Sequence, residues 1–238
     1  MLNAPPTFLV MDFETGGLDD RLNPPLSAAI VIASNDMMPL DGMDQKFLPP
    51  PGTVIEVPVP EDQKIEIRKK RISHWTDVHT RVRHSAPPDG APLINAVAAE
   101  MNGYIKVTPT GWDATSIDFW HSQARSLADS EETFIKMLAP FKGTQPICVA
   151  HNASFDKCFA RRYFPKFFAM LDPNWRCTVE EFKAWYKARG LKGSAKLATL
   201  IEKCGYVNEQ AHSAGSDAYA CLAGMRWLVE ERRALATE

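Results

Sequence analysis

Two acidic residues near the start of the chain have the spacing of a cation site. Asp12 and Glu14 are separated by one residue at the end of the apolar run TFLVMDF. If this run is a β-strand, side chains two positions apart lie on the same face, and the two carboxylates are neighbours. Neighbouring carboxylates repel each other, and Mg²⁺ or Mn²⁺, which prefer oxygen ligands, relieve that repulsion. The pair predicts a metal site, and a solvent-exposed acidic pair at a strand end is the alternative.

A third carboxylate follows a second apolar run. Residues 146–150 (PICVA) predict a strand, and the loop after it leads into a helix that carries Asp156. Functional groups of open α/β sheets gather at the carboxyl ends of strands, so Asp156 is a candidate third ligand. In the structural alternative, Asn152 caps the helix and Asp156 interacts with the positive end of its dipole.

The segment HSAGSD combines a histidine with a fourth carboxylate. His212 lies on a loop of small residues, and Asp217 falls in the first turn of the last predicted helix. On a helix, residues five positions apart point about 140° away from each other, so His212 and Asp217 would not share a face if both were helical. Because His212 lies on a loop, its side chain can instead approach whatever Asp217 binds. Histidine exchanges protons near neutral pH, which suits a general base that activates water. The alternative is a surface histidine beside an ordinary helix start.

Together, the three segments resemble the motifs of the DEDD exonucleases, which include proofreading subunits, ribonuclease T and oligoribonuclease. MDFETGGL is similar to their first motif, VAHNASFD to the second, and AHSAGSD to the third in its histidine-bearing form, called DEDDh or DnaQ-like. The resemblance covers roughly 7–34 and 146–228. It implies a ribonuclease H-like fold and 3′→5′ exonuclease activity.

The resemblance also implies a role for each matching residue. Asp12 would bridge two divalent ions, Mg²⁺ or Mn²⁺, while Glu14 and Asp217 would hold the ion that binds the attacking water. Asp156 would support the second ion, and His212 would be the general base. DNA or RNA would then be cut by a two-metal mechanism that releases nucleoside 5′-monophosphates.

Six further positions are expected to contact the substrate. Leu18 stands where the family stacks an apolar side chain on the terminal base, and Asn152 would orient Asp156 or contact the substrate backbone. The remaining candidates are Thr15, Gly17, Phe155 and Arg161. The family commonly has Thr at the position of Gly16, so contacts at the terminal nucleotide should differ here.

Cationic residues could bind the phosphates. Residues 157–203 contain 11 Lys and Arg but 4 Asp and Glu, and the run RKKR at 68–71 precedes Trp75, which could stack on a base. Solvated helix faces would show the same composition. We expect single-stranded 3′ ends as the substrate, and a polymerase or another nucleic-acid-processing protein as a partner.

The predicted elements place these motifs on an α/β fold with a mixed sheet flanked by helices. Strands are predicted at 7–13, 26–34, 44–48, 146–150 and 176–177, and helices at 118–128, 130–138, 155–163, 178–188, 194–204 and 216–233. We expect a single exonuclease domain over 1–238, with an inserted, partly irregular segment at about 49–115 between the first and second motifs. Short helices are expected within it at 61–71 and 92–105.

One part of the chain permits two interpretations. Residues 112–125 (WDATSIDFWHSQAR) resemble, more weakly, a segment of exonuclease VIII-like relatives. The alternative is an amphipathic helix that buries Phe119 and Trp120.

Composition is that of a soluble globular protein, with 45% hydrophobic and 24% charged residues and a net charge of −2. No run of about 18 apolar residues predicts a membrane span, and the N-terminus lacks the features of a signal peptide. The five cysteines form no CxxC motif, which is typical of reduced thiols, and we expect a cytoplasmic protein. Three alternatives remain: a non-catalytic nucleic-acid-binding module, an exoribonuclease acting on short RNA, and an endonuclease of the same fold.

Overall fold

The computed structural model describes residues 8–58, 72–108, 111–141 and 143–235. The chain divides into two compact units. The first comprises Met1–Phe13, Ala28–Asp44 and Glu131–Glu238, and the second comprises Glu14–Ser27 and Gln45–Ser130. The single domain expected over 1–238 and the bounds of its insertion stay predictions.

Strands predominate in the first half of the described chain and helices in the second half. Within the described ranges the strands are β1 (Phe8–Thr15), β2 (Pro25–Ala33), β3 (Pro39–Lys46), β4 (Val54–Pro58), β5 (Ile72–Asp77), β6 (Arg83–His84), β7 (Leu93–Ile94), β8 (Lys106–Thr108), β9 (Gly111–Asp113), β10 (Ile147–Ala150) and β11 (Arg176–Cys177). The helices there are α1 (Ala96–Met101), α2 (Ala114–Gln123), α3 (Leu127–Met137), α4 (Ala153–Tyr163), α5 (Pro165–Phe168), α6 (Thr178–Ala188), α7 (Leu197–Cys204) and α8 (Ala214–Leu235), with a 3₁₀ helix at Ala139–Phe141.

The main sheet brings the first two motifs to the same edge. Its strand order is β11-β10-β1-β2-β3, and β1 runs parallel to β10 with Val10 opposite Val149. Strand β10 is also parallel to β11. Because neighbouring parallel strands end on the same side, the residues after Val10 and after Val149 emerge together.

Helix α8 packs its apolar side onto this sheet. Leu222, Met225 and Leu228 are buried, and the first two share a core cluster with Val10 of β1. Tyr219 of the same helix is 39% exposed. The small buried residues of α8 allow close packing against the strands, and this packing holds the start of α8, with Asp217, in place. No helix in the described part of the chain is long and apolar enough to cross a membrane.

The second unit holds more regular structure than its sequence indicated. A four-stranded sheet has the order β6-β5-β4-β7, and β8 pairs with β9. Residues 92–105, expected to be helical, form β7 and the short helix α1, and Gly103 follows in a left-handed conformation with φ of 68°. The helix expected at 61–71 lies outside the described residues. Pairing between strands distant in sequence produces this sheet, and local patterns do not reveal such pairing.

Helix α3 begins at Leu127, three residues before the helix predicted over 130–138. Ser130 was expected to begin this helix, but its side chain is buried inside it. Ser126 instead accepts a hydrogen bond from the Asp129 N–H at 3.1 Å, and its hydroxyl donates to the Asp129 carboxylate at 2.7 Å. The Ser126 side chain therefore caps α3 about one turn earlier than predicted.

Candidate metal centre

Strand β1 presents Asp12 and Glu14 on one face, as their spacing predicted. Phe13 between them points to the other face and is buried, with its ring centroid 5.8 Å from that of Phe164. Both carboxyl side chains are half-buried. The apolar contact of Phe13 therefore fixes the direction of the two acidic side chains.

Three of the four predicted ligands come together. Asp12, Glu14 and Asp217 each offer a carboxylate oxygen, and these oxygens lie within 4.8 Å of one another. Three negatively charged side chains so close repel one another, and a bound cation would neutralise this repulsion. Their oxygen donors fit a hard divalent cation such as Mg²⁺ or Mn²⁺.

Asp156 is anchored against the same strand. Its side chain is 2% exposed, and it accepts a hydrogen bond from the Phe13 N–H at 3.0 Å. It is not one of the three carboxylates within 4.8 Å of each other. The contact places this buried carboxylate beside the segment that carries Asp12 and Glu14, and its support of a second ion stays a prediction.

Asn152 does not cap α4, which corrects the structural alternative. It occupies the N-cap position with φ of 68° and ψ of 52°, but its side chain makes no capping hydrogen bond. The side chain is exposed and accepts a hydrogen bond from the Ser154 hydroxyl at 3.3 Å. A left-handed conformation is costly for a residue with a side chain, although Asn tolerates it better than most.

Both carboxylate oxygens of Asp217 accept hydrogen bonds. Asn208 donates its side-chain N–H to Oδ1 at 2.6 Å, and the backbone N–H of His212 donates to Oδ2 at 3.3 Å. The Ser216 hydroxyl binds the Asn208 side-chain oxygen in turn. Asn208 was missed from the sequence, where it is one polar loop residue among several, and its contact with Asp217 gives it a positioning role.

Replacing Asn208 should weaken cation binding. Asn208→Ala removes the donor that orients Asp217, and loss of such an outer partner typically costs about 10- to 100-fold in metal affinity. Titration of the protein with Mn²⁺, followed by calorimetry, measures this directly. Glu209→Ala, an exposed neighbour, serves as the control. An unchanged Mn²⁺ affinity in Asn208→Ala would contradict the assigned role.

His212 lies where the sequence placed it, on the loop before α8. Its side chain is exposed, and its backbone is left-handed with φ of 67°. The hydrogen bond from its N–H to Asp217 holds this loop against the carboxylate cluster. The structure therefore leaves the imidazole accessible to solvent at the margin of the candidate site, and its role as a base stays a prediction.

The loop after β1 depends on its glycines. A Cβ atom on Gly17 would lie 2.5 Å from the side-chain oxygen of Asn23, and that side chain also donates to the Leu93 carbonyl at 2.7 Å. Thr15 is buried and donates its hydroxyl to the Gly17 carbonyl at 2.5 Å. Leu18 is 88% exposed, so its apolar side chain is available to a ligand.

The other predicted contacts differ in accessibility. Phe155 is half-buried, with its ring centroid 4.9 Å from that of Phe159, whereas Arg161 is exposed. Part of the basic segment 157–203 is neutralised by ion pairs such as that between Arg176 and Glu181. Trp75 is buried, so it cannot stack on a base as expected, and the basic run at 68–71 lies outside the described residues.

His151 is a half-buried histidine in the second motif. Its Nδ1 forms a hydrogen bond of 2.8 Å with the Thr178 hydroxyl, and burial lowers the pKa of His151 to about 4 from an ordinary value of 6.5. The neutral ring therefore supports the loop between β10 and α4. The sequence offered no separate signal for this role.

Stability should fall with acidification because of His151. Between pH 6.5 and 4 the unfolded chain binds a proton at this ring and the folded chain does not, so stability is complete above pH 6.5 and is lost as the pH falls toward 4. We expect a loss of about 2 kcal/mol from pH 7 to pH 5. Urea unfolding at both pH values measures it. His151→Gln should remove this part of the pH dependence, and an unchanged dependence would contradict the assignment.

Comparisons with known proteins identify a similar family and a shared fold. Residues 121–224 match the family model described as RNase_T: Exonuclease, a span that includes the second and third motifs. None of the curated proteins compared with this sequence matches it.

Solved structures share the fold. The zinc-bound E. coli ExoI–ssDNA complex matches with a TM-score of 0.59 and 18% identity, over 96% of this chain and 41% of that chain. E. coli exonuclease I with a dA16 oligonucleotide matches with a TM-score of 0.59 and 17% identity, over 97% of this chain and 42% of that chain. The same enzyme with a dT13 oligonucleotide matches with a TM-score of 0.57 and 17% identity, over 98% of this chain and 43% of that chain. This chain thus spans less than half the length of those chains. At identities of 17–18%, the likeness shows the ribonuclease H-like fold alone. This result confirms the predicted fold class.

Proposed function

We propose that this chain is a divalent-metal-dependent 3′→5′ exonuclease of the DEDDh type, because residues 121–224 match the RNase_T exonuclease family model and the chain shares the fold of E. coli exonuclease I. It would act on single-stranded nucleic acid and release nucleoside 5′-monophosphates. One observation carries the proposal, namely the approach of the Asp12, Glu14 and Asp217 carboxylate oxygens to within 4.8 Å of one another.

Four carboxylates would hold the divalent cations. Asp12, Glu14 and Asp217 offer oxygens that lie close together, and buried Asp156 is anchored beside them. When bound, divalent ions stabilise the negative charge that develops on the attacking and leaving oxygens. Asn208 and the backbone of His212 keep Asp217 oriented for this task.

The remaining residues would accept the proton of the attacking water and bind the 3′ end of the nucleic acid. His212 would accept a proton from the attacking water, whose oxygen forms a bond to phosphorus while the bond from phosphorus to the 3′ oxygen of the preceding nucleotide breaks. The products are a nucleoside 5′-monophosphate and a strand shortened by one nucleotide with a new 3′ hydroxyl. Exposed Leu18 would stack on the terminal base, and exposed Arg161 would contact a phosphate.

Single strands are the favoured substrate class. E. coli exonuclease I, which shares this fold, has been solved with dA16 and dT13 oligonucleotides. A single strand lets its terminal base leave the stack and reach an apolar side chain such as Leu18. Discrimination between DNA and RNA would need a partner for the 2′-hydroxyl, so both polymers belong in the test.

A time course on 5′-labelled oligonucleotides tests the proposal. We expect a ladder that shortens from the 3′ end with Mg²⁺ or Mn²⁺, nucleoside 5′-monophosphates as products, and no reaction with EDTA. DNA and RNA, each single- and double-stranded, are compared under the same conditions. A circular single strand, which has no 3′ end, should remain intact.

Three outcomes would overturn the exonuclease proposal. Cutting of the circle would identify an endonuclease. Binding of oligonucleotides without turnover under both metals would identify a non-catalytic module. Trimming that persists in EDTA would remove the metal from the mechanism, although the carboxylate cluster would remain to be explained.

A further inference from the structure

Helix α2 exposes one of two consecutive aromatic rings. Trp120 is 4% exposed and donates its indole N–H to the Phe47 carbonyl at 3.2 Å, whereas Phe119 is 63% exposed. The amphipathic helix that was expected to bury both residues is therefore wrong for Phe119. Successive helical side chains point about 100° apart, so only one of the pair faces the core.

A lysine is held beside the exposed ring. The ammonium nitrogen of Lys46 lies 5.7 Å from the Phe119 ring centroid and 4.8 Å from that of Trp120. It also donates a hydrogen bond to the side-chain oxygen of Gln123 at 2.8 Å. Contact with two rings and an amide fixes the position of a side chain that is flexible elsewhere.

A second basic residue, Arg125, is joined to Lys46 through the backbone. The Arg125 N–H donates to the Lys46 carbonyl at 3.0 Å, and the Arg125 carbonyl accepts from the Leu48 N–H at 2.8 Å. The Arg125 side chain is exposed. Asp118, the acidic residue next to Phe119, forms an ion pair with Arg81, which offsets its negative charge.

Exposure of one aromatic residue would decide nothing, because single apolar side chains are common on protein surfaces. Here the exposed ring is accompanied by Lys46 and Arg125 within one unit of the fold. An aromatic face and a cation match the two parts of a nucleotide, since every base has a face for stacking and every phosphate carries a negative charge. We define Phe119, Gln123, Lys46 and Arg125 as the α2 platform.

We propose that the α2 platform binds a nucleotide of single-stranded nucleic acid, with the base stacked on Phe119 and a neighbouring phosphate paired with Lys46 and Arg125. The inference rests on the proposed function, and it adds a strand-binding site made of residues outside the carboxylate cluster. Stacking does not depend on base identity, so the platform would hold strands of any sequence.

Binding measured without cleavage tests the platform. Fluorescence anisotropy of labelled oligo(dT) and oligo(U), with the full chain in EDTA, separates binding from turnover. Phe119→Ala should raise Kd about 5- to 150-fold, as expected for loss of one base–aromatic stack. Phe119→Trp should retain the affinity, whereas Phe119→Leu, which keeps an apolar side chain without a ring, should resemble Phe119→Ala. Val97→Ala, at an exposed position of α1, is the matched control.

The contribution of the Lys46 charge to oligonucleotide binding is measured separately. Lys46→Met should reduce the slope of log K against log salt by about 0.7, the contribution of one phosphate contact on a single strand. Lys46→Arg should preserve the slope. The oligo(dT) and oligo(U) arms identify which of the two polymers the platform prefers.

The outcomes separate the two proposals. If wild-type protein trims oligonucleotides and Phe119→Ala binds them as tightly as wild type, the platform is overturned and the exonuclease proposal stands. Wild-type affinity in Phe119→Leu would also overturn it, because an apolar contact with another partner would then explain the exposed ring. If no nucleic acid is cut with Mg²⁺ or Mn²⁺ but Phe119→Ala loses binding, the exonuclease proposal fails and the platform stands.

Discussion

Asp12→Asn is expected to reduce exonuclease activity at least about a thousandfold, which corresponds to about 4 kcal/mol of lost transition-state stabilisation. The substitution keeps the shape of the side chain and removes a negative charge that would help to hold the cations. Its carboxylate is one of the three whose oxygens lie within 4.8 Å of one another, so its loss removes a third of the donor groups of this cluster. Initial rates on a 5′-labelled single strand with Mg²⁺ measure the effect.

A stability measurement distinguishes this from a folding defect. Removing one of three crowded carboxylates relieves their repulsion, so Asp12→Asn should have the same or a higher Tm than wild type in EDTA. Added Mn²⁺ should raise the Tm of wild type and have little effect on the variant, because a cation that binds only the folded state stabilises it. Asp41→Asn, at an exposed position of β3, should behave as wild type in both assays. Near-normal cleavage by Asp12→Asn would refute the metal centre.

His212→Gln is expected to lower the cleavage rate about 10²- to 10⁴-fold, the usual contribution of a positioned general base. Glutamine retains a polar side chain of similar length but cannot take up the proton of the attacking water. The loop should keep its conformation, since the hydrogen bond to Asp217 comes from the backbone N–H of residue 212. Single-turnover rates with Mg²⁺ measure the chemical step alone.

Two further measurements show whether His212 acts in catalysis or only supports the loop. Affinity for Mn²⁺ should match wild type, because the imidazole is not among the carboxylate donors. Affinity for oligo(dT) in EDTA should also be unchanged. Gln210→Ala, in the same exposed loop, is the control and should cleave normally. Weak Mn²⁺ binding by His212→Gln would instead assign the histidine to the metal centre.

Local sequence patterns were sufficient to predict several helices and strands. Helix α6 spans Thr178–Ala188, as the spacing of its apolar residues predicted. The alternation along β1 placed Asp12 and Glu14 on one face and buried Phe13, because side chains of a strand alternate whatever the rest of the fold does. These features depend on residues close together in sequence, and a single sequence contains that information.

Long-range pairing was not predictable in the same way. The segment 49–115 contains β4 paired with both β5 and β7, and those strands lie far apart in the chain. Ser126 and Ser130 both suit a helix start, and only packing decided that Ser130 is buried. Phe119 and Trp120 have similar hydrophobicity, and the direction of the core decided which of them faces solvent.

The sequence by itself determined which chemical groups this protein has available: four carboxylates and a histidine, in motifs that resemble those of an exonuclease family, on strands and helices that form through local periodicity. Only the tertiary structure decided that oxygens of Asp12, Glu14 and Asp217 meet within 4.8 Å, that Asn208 orients one of them, and that Asp156 is anchored to the backbone of Phe13. The physical reason is that these contacts depend on the parallel register of β1 with β10 and on the packing of α8 against the sheet, and both arise between segments far apart in the chain.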